Sequence, residues 1–211
     1  MNVEMINASP YDANTYLVNG KILIDTGMSP HNLHAEIEKH VDPKNIELII
    51  LTHCHYDHSG GAADIAQKSG AKVALHKDDV ELLKDNMGSV ASLFGHPAPA
   101  VMPSITYKGG EQIQISNTEK LEVIHTPGHT PGGICLYEPI SKSLFSGDTV
   151  FPQGSIGRTD FMGGSSGELT KSIEKLTQLD VKILYPGHGI VTGDNVNAQI
   201  QLSLQMSAAM R

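Results

Sequence analysis

The sequence predicts an α/β protein in which mixed β-sheets are covered by helices. Three observations carry that expectation. Short β-branched runs alternate with helical stretches along the chain. Early runs are joined by tight turns such as Asn19-Gly20, a hairpin signal, and later ones by helices. The 211 residues are 39% hydrophobic and 18% charged, an ordinary globular composition able to bury a core. No fixed-period repeat or low-complexity tract points to a solenoid, and the length suits a single domain over residues 1–211.

Strands are expected over residues 5–9, 15–18, 21–25, 46–52, 72–75, 112–115, 121–125, 133–137, 142–145 and 182–185, where Val, Ile, Leu and aromatic residues cluster between turn residues. Helices are expected over 30–40, 61–68, 78–86, 168–179 and 194–208. Leu33, Ile37 and His40 recur at spacings of four and three, as do Leu169, Ile173 and Leu176, so one face of each helix packs on something flat. Residues 87–104 are rich in Gly and Pro, with Met87, Leu93, Phe94 and Met102 scattered through them. That stretch reads as a long loop, suited to a substrate lid or a subunit contact.

Charge and composition exclude several classes. The net charge is −8, and arginine occurs only at Arg158 and Arg211, so no basic stripe is available to track phosphates and no nucleic-acid partner is expected. No apolar run approaches 18 residues, which argues against a membrane span. The opening stretch has neither a basic nor an apolar leader region, and Cys54 and Cys135 are too few to staple such a fold; both point to the cytoplasm. Histidine is the outlier, with 11 residues.

Four histidine and aspartate donors crowd into the run Thr52-His53-Cys54-His55-Tyr56-Asp57-His58-Ser59-Gly60-Gly61, which follows the apolar residues 46–51. In an extended segment alternate side chains share a face, which would bring His53, His55 and Asp57 together, while the turn toward Gly60 swings His58 beside them. The same alternation points Cys54 away, into packing. Imidazoles and a carboxylate at this density are ligands for zinc, iron or manganese. A shuffled chain of this composition produces H-x-H-x-D-H about 0.002 times, so chance is a poor explanation.

Three more segments repeat the pattern of an apolar run, a glycine and a ligand-type residue: His129 in Thr126-Pro127-Gly128-His129-Thr130, Asp148 in Ser146-Gly147-Asp148-Thr149, and His188 in Pro186-Gly187-His188-Gly189. Ligands bind beyond the carboxyl ends of strands, where such loops converge. Seven donors exceed what one tetrahedral zinc uses. They suit two divalent ions about 3.5–4 Å apart that share a carboxylate and hold a hydroxide.

The ordered set HCHYDH, TPGHT, SGDT and PGHG, together with Leu23-Ile24-Asp25-Thr26-Gly27, resembles the metallo-β-lactamase superfamily. The resemblance implies a four-layer αββα sandwich with metals at one edge. It also implies that His53, His55 and His129 hold one ion, that Asp57, His58 and His188 hold the other, and that Asp148 bridges them. Zinc is the first expectation, with iron and manganese as alternatives. Residues 154–161, Gly-Ser-Ile-Gly-Arg-Thr-Asp-Phe, are similar to hydroxyacylglutathione hydrolases (glyoxalase II) and to the related persulfide dioxygenases. β-Lactamases with two zincs usually carry Cys where this chain has Asp148. Full-length glyoxalase II carries a helical glutathione-binding domain after its last metal histidine. Residues 189–211 leave room for one helix and no separate C-terminal substrate domain, and Ile190 stands where PGHEY-type sequences place a tyrosine. The closer likeness is to short, single-domain glyoxalase II-like proteins.

The expected chemistry is thioester hydrolysis in the cytoplasm, by a monomer or homodimer acting on a small molecule such as a 2-hydroxyacyl-glutathione. A bridging hydroxide attacks the carbonyl, Asp57 orients it and takes its proton, and a thiolate with a conjugate acid near pKa 8.5 leaves with little help. The alternative is a mononuclear Fe(II) persulfide dioxygenase using His53, His129 and Asp148. A third class, a redox module serving a partner domain, fits less well because His55 stands where such diiron proteins tend to carry glutamate. Arg158 suits a substrate carboxylate, with Asp160 as either a second substrate contact or its structural partner. Asp25 suits a partner to a ligand imidazole or a turn at a strand end. His31, His34 and His40 read as solvated helix residues; His76 and His125 end strands, where they suit structural roles first and the lining of the cleft second.

Overall fold

β-Branched and leucine-rich runs set the strands, and in the computed structural model, which describes residues 1–6 and 8–209, they fall into two mixed sheets. The chain forms two compact units, Met1–Tyr107 and Lys108–Arg211. Each holds one sheet and its own apolar core.

In the first unit the strands are β1 (Val3–Ile6), β2 (Thr15–Val18), β3 (Ile22–Ile24), β4 (Leu48–Ile50), β5 (Lys72–His76) and β6 (Ile105–Tyr107), ordered β1-β2-β3-β4-β5-β6. The first three pair antiparallel and β3 through β6 pair parallel. The β2–β3 hairpin turns at Asn19 (φ 50°) and Gly20 (φ 68°), the two left-handed residues that a type I′ turn requires. Helices α1 (Pro30–Glu38), α2 (Tyr56–Ser59), α3 (Ala62–Ser69) and α4 (Val80–Leu83) complete the unit. Leu33 and Ile37 of α1 and Ile65 of α3 share a core with Leu17, Leu23, Ile49 and Leu51, which is the flat packing that the helical spacing anticipates.

The second unit has β7 (Gln112–Gln114), β8 (Lys120–His125), β9 (Ile134–Glu138), β10 (Ser143–Gly147) and β11 (Ile183–Pro186), ordered β11-β10-β9-β8-β7. All pairs are antiparallel except β10–β11, which α5 (Ser166–Leu176) connects. Ser165 caps α5, accepting a hydrogen bond from the Glu168 amide at 3.3 Å. Leu169, Ile173 and Leu176 pack with Leu144, Leu184 and residues of α6 (Val196–Ala209), among them Val196 and Ile200.

Three local expectations differ from the structure. β1 covers 3–6 rather than 5–9: Asn7 lies outside the described residues, and at Ser9 the chain turns, with Asp12 N–H donating to Ser9 O at 3.2 Å. The helix expected over 78–86 is a 3₁₀ turn, Lys77–Asp79, followed by the short α4. It stops because Asp85 turns its carboxylate back to accept from Met87 and Gly88 N–H, at 3.0 and 2.7 Å. β6 is an added strand, only three residues long and so below the reach of an alternation signal. Residues 87–104 are mostly irregular, as expected, with one 3₁₀ turn at Ala91–Phe94.

Candidate metal centre

Parallel pairing aligns strand ends. In the first unit β3, β4 and β5 run the same way, so Asp25, the 52–58 motif and Asp79 all follow carboxyl ends at one sheet edge. The motif is not the extended segment that alternation suggested. After β4 the chain bends, His55 sits at the N-cap of α2, and Asp57 and His58 lie on its single turn. Convergence survives because a tight turn gathers side chains as well as alternation does. The His53 and His55 rings are 4.7 Å apart, and His53 and His58 are 4.1 Å apart. The ring nitrogens in each of these pairs lie within 4.8 Å of each other. Asp57 Oδ2 is 3.9 Å from His58 Nε2. His53, His55 and His58 are each at most 2% exposed.

Asp25 orders these rings. Its backbone takes φ 59°, a left-handed turn off β3 that Asp tolerates better than most residues. Oδ2 accepts from His58 Nδ1–H and from the Thr52 hydroxyl, both at 2.8 Å, and Oδ1 accepts from Thr52 N–H at 2.8 Å. With its proton given to Asp25, the Thr52 hydroxyl accepts from His53 Nδ1–H at 3.1 Å. Both rings therefore present Nε2 as a lone-pair donor, the tautomer a metal requires. Asp25 is thus a hydrogen-bond partner of a candidate ligand imidazole. Gly61 permits the close packing of the following turn, since a Cβ there would lie 2.6 Å from the Thr26 carbonyl oxygen.

In the second unit β8 and β10 run the same way as β11, so His129, Asp148 and His188 all leave one edge. Asp148 Oδ2 lies 3.6 Å from His129 Nε2 and 3.6 Å from His188 Nε2, flanked evenly by the two imidazoles. His129 donates Nδ1–H to the backbone carbonyl of Arg158 at 2.7 Å, which again leaves Nε2 for a metal. A Cβ on Gly157 would fall 1.9 Å from the Asp148 carbonyl oxygen, so only glycine lets this loop pass.

The remaining candidates are readily placed. Arg158 and Asp160 form a two-bond pair, Nε to Oδ1 at 2.7 Å and Nη2 to Oδ2 at 2.6 Å, on an exposed loop. The guanidinium lies 4.0 Å above the Phe161 ring and holds the Asp160 carboxyl down at about 2. Cys54 is fully buried in the core, and burial pushes its thiol well up, in keeping with packing rather than ligation. His31 and His40 are exposed, and His34 pairs with Glu38 at 3.4 Å. His76 is buried, and His125 Nε2 contacts the Pro131 carbonyl at 2.9 Å.

Sequence reasoning missed three supports of the motif. Thr52 links Asp25 to His53. Buried Asp79 accepts from Cys54 N–H at 3.0 Å, and the Ser89 carbonyl accepts from Tyr56 N–H at 2.8 Å. Thr52 and Asp79 had one signal, position beside or just beyond a strand end, whereas Ser89, in the irregular stretch after α4, had none. Asp12, also unforeseen, accepts from Met28 N–H and Ser29 Oγ–H, and burial raises its carboxyl above the usual range.

Imidazoles, three of them held through Nδ1, with carboxylates beside them fit zinc, iron or manganese rather than calcium or magnesium. Among the described residues no helix is long and apolar enough to cross a membrane.

The sequence model of the metallo-β-lactamase superfamily matches residues 8–188. The chain is 36% identical to probable metallo-hydrolase MJ0888 of Methanocaldococcus jannaschii, across 90% of this chain and 94% of that one. It is 34% identical to hydroxyacylglutathione hydrolase GloC of Haemophilus influenzae (91% and 92% covered), and 31% identical to the human acyl-coenzyme A thioesterase MBLAC2 (83% and 72%). Among solved structures, the BLEG-1 B3 metallo-β-lactamase matches with a TM-score of 0.80 and 28% identity over 97% of this chain and 96% of that one. TTHA1623 in a di-iron-bound form matches with 0.76 and 29%, over 98% and 97%. These likenesses agree with the expected fold class of two mixed sheets with helices.

Proposed function

The chain belongs to the metallo-β-lactamase superfamily, a family of metallo-hydrolases, and on that premise we propose that it hydrolyses small thioesters of the 2-hydroxyacyl-glutathione kind or an analogue. The reading rests on one observation above others: His53, His58 and His129 are each held through Nδ1, leaving Nε2 to ligate, and Asp148 lies evenly between His129 and His188. Names of relatives supply the substrate class, since one is a hydroxyacylglutathione hydrolase and another an acyl-coenzyme A thioesterase.

In this proposal His53, His55 and His129 hold one divalent ion, Asp57, His58 and His188 hold a second, and Asp148 serves both. Zinc is the first candidate, with iron or manganese as alternatives; a similar structure is di-iron-bound. When bound, such ions lower the pKa of water to about 7 and polarise a carbonyl. Asp57 orients the attacking water and takes its proton. A thiolate needs no protonation to leave, whereas an amide nitrogen needs a general acid, so thioesters are the substrates this residue set serves. Arg158, steadied by Asp160 and Phe161, offers a cation for a substrate carboxylate, with Asp160 at the edge of the same contact. Residues 1–211 act as one catalytic domain, as monomer or homodimer. A cytoplasmic setting fits the two free, buried thiols.

The test is elemental analysis of protein purified without chelators, joined to a thioester panel that includes lactoyl-glutathione. Two ions per chain and metal-dependent thioester turnover are expected. One iron per chain with oxygen uptake on a persulfide would replace this reading by the dioxygenase, and no metal-dependent turnover would end it.

A further inference from the structure

Beside His188 lies a recess of about 460 Å³ that the chemistry above does not use. Its walls are Phe151, Pro152 and Ile190, with Gln153 and Ser155 as the polar residues at its rim. The Phe151 ring stands 6.2 Å from the His188 imidazole, and Ile190 presents its branched side chain at 68% exposure. Gly189 turns the chain at φ 85°, and nothing lies within 4 Å of where its side chain would be, so the floor is open. Among the described residues lining the recess none is Lys, Arg, Asp or Glu, and His188 is its sole ionisable group.

We propose that this recess receives an uncharged aliphatic chain adjoining the scissile thioester, with Ile190 and Phe151 as specificity-determining residues. The inference deepens the hydrolase reading and rests on it, because His188 is the wall shared with the proposed metal centre. The physical argument is one of complementarity. Glutathione brings two carboxylates and an ammonium, and the recess offers no opposite charge to any of them. An alkyl chain asks only for apolar surface, which Phe151, Pro152 and Ile190 supply, in a volume within the ordinary range for ligand sites. A large branched side chain left 68% exposed beside such a hollow has most to gain from being covered. The aliphatic chain belongs either to the acyl group or to the thiol, and the experiment separates the two.

Binding of S-alkyl N-acetylcysteamine thioethers, which cannot be hydrolysed, is measured by calorimetry on the metal-loaded protein from ethyl to octyl. The dissociation constant is expected to fall ~4-fold per added methylene until the recess fills. In I190D, an exposed change that leaves the core untouched, that slope should flatten; circular dichroism checks the fold, and F151A should give an intermediate slope. Hydrolysis is then compared across acyl lengths on one thiol, and across alkyl thiols carrying one acyl group. A rise in kcat/KM along the first series assigns the recess to the acyl chain, and a rise along the second assigns it to the thiol. Thioester turnover that ignores both lengths, with thioether affinity equally flat, overturns the recess and leaves the hydrolase standing. Length-dependent binding lost in I190D without turnover of any thioester retains the recess and ends the hydrolase reading.

Discussion

Replacing Asp25 by asparagine asks whether metal affinity depends on a proton being held in place. The change keeps size and shape, and the amide oxygen takes over the bond from Thr52 N–H. The amide nitrogen then faces two donors, His58 Nδ1–H and the Thr52 hydroxyl, each at 2.8 Å from Oδ2 in the native protein. Relief comes only if His58 moves its proton to Nε2 and the hydroxyl rotates, which removes the lone pair meant for a metal and loosens the Thr52–His53 contact. Loss of such a carboxylate partner typically costs ~10–100-fold in metal affinity, or about 1.4–2.7 kcal/mol. Two charge-assisted hydrogen bonds worth ~1.5–3 kcal/mol each are also lost, so the fold itself should weaken by roughly 3–6 kcal/mol. Competition against a chromophoric chelator reads affinity, and urea unfolding of the metal-free protein reads stability separately. A D25N protein that binds metal within about 2-fold of the native affinity would refute the tautomer argument.

The other predictions concern the loop, the thiols and the ions. G157A forces a Cβ toward the Asp148 carbonyl oxygen, 1.9 Å away in the native backbone, and a shift of that ligand by about 1 Å should lower kcat ~100-fold while far-UV circular dichroism stays native. Burial raises the Cys135 thiol to about 11, so at pH 8 about one molecule in a thousand carries the thiolate; Ellman's reagent should react only after unfolding, and rapid labelling of native protein would contradict the burial. Because that folded-state value exceeds the ordinary one of 9.0, the unfolded chain loses its proton first, and stability should decline as pH rises from about 9 to 11. Stripping the metals should abolish turnover and lower Tm by about 5–10 °C relative to protein with free metal at 100 times its dissociation constant, a linkage of ~2.7 kcal/mol that a thermal melt measures.

Much of this was legible in the chain itself, for definable reasons. Apolar runs such as Leu48–Ile50 and residues 134–137 mark strands because burial on both faces demands continuous hydrophobicity. Density and order of the His and Asp residues marked the candidate donors, since few other roles ask for four such groups in six positions. What eluded the sequence depended on tertiary contact. Extended alternation was the wrong geometry for residues 53–58, because His55 caps a helical turn that Gly61 allows to pack against Thr26. Arg158 drew attention for its charge, yet its firm contact with His129 is made by its backbone carbonyl, which every residue type possesses and no composition can flag. Thr52 and Asp79 were likewise silent, as a threonine or aspartate near a strand end is usually a turn residue.

The arrangement within each unit follows from parallel pairing. Strands that run the same way deliver their loops to the same edge, so a residue following one strand is positioned to serve a ligand following its neighbour. Asp25 leaves β3 and holds His58, which follows β4; that reach requires the left-handed turn at φ 59°, which aims the carboxylate sideways across the sheet edge instead of onward along the strand. A β-branched residue at 25 would lose both the carboxylate and the turn. In the second unit the same rule puts His129, Asp148 and His188 at one edge, and there the supporting acceptor is the chain itself at Arg158. The candidate imidazoles His58 and His129 are thus oriented by a carboxylate in one unit and by a backbone carbonyl in the other. A carboxylate stabilises an imidazole N–H more strongly than a neutral carbonyl does, so the D25N change should perturb metal affinity more than any side-chain replacement at Arg158.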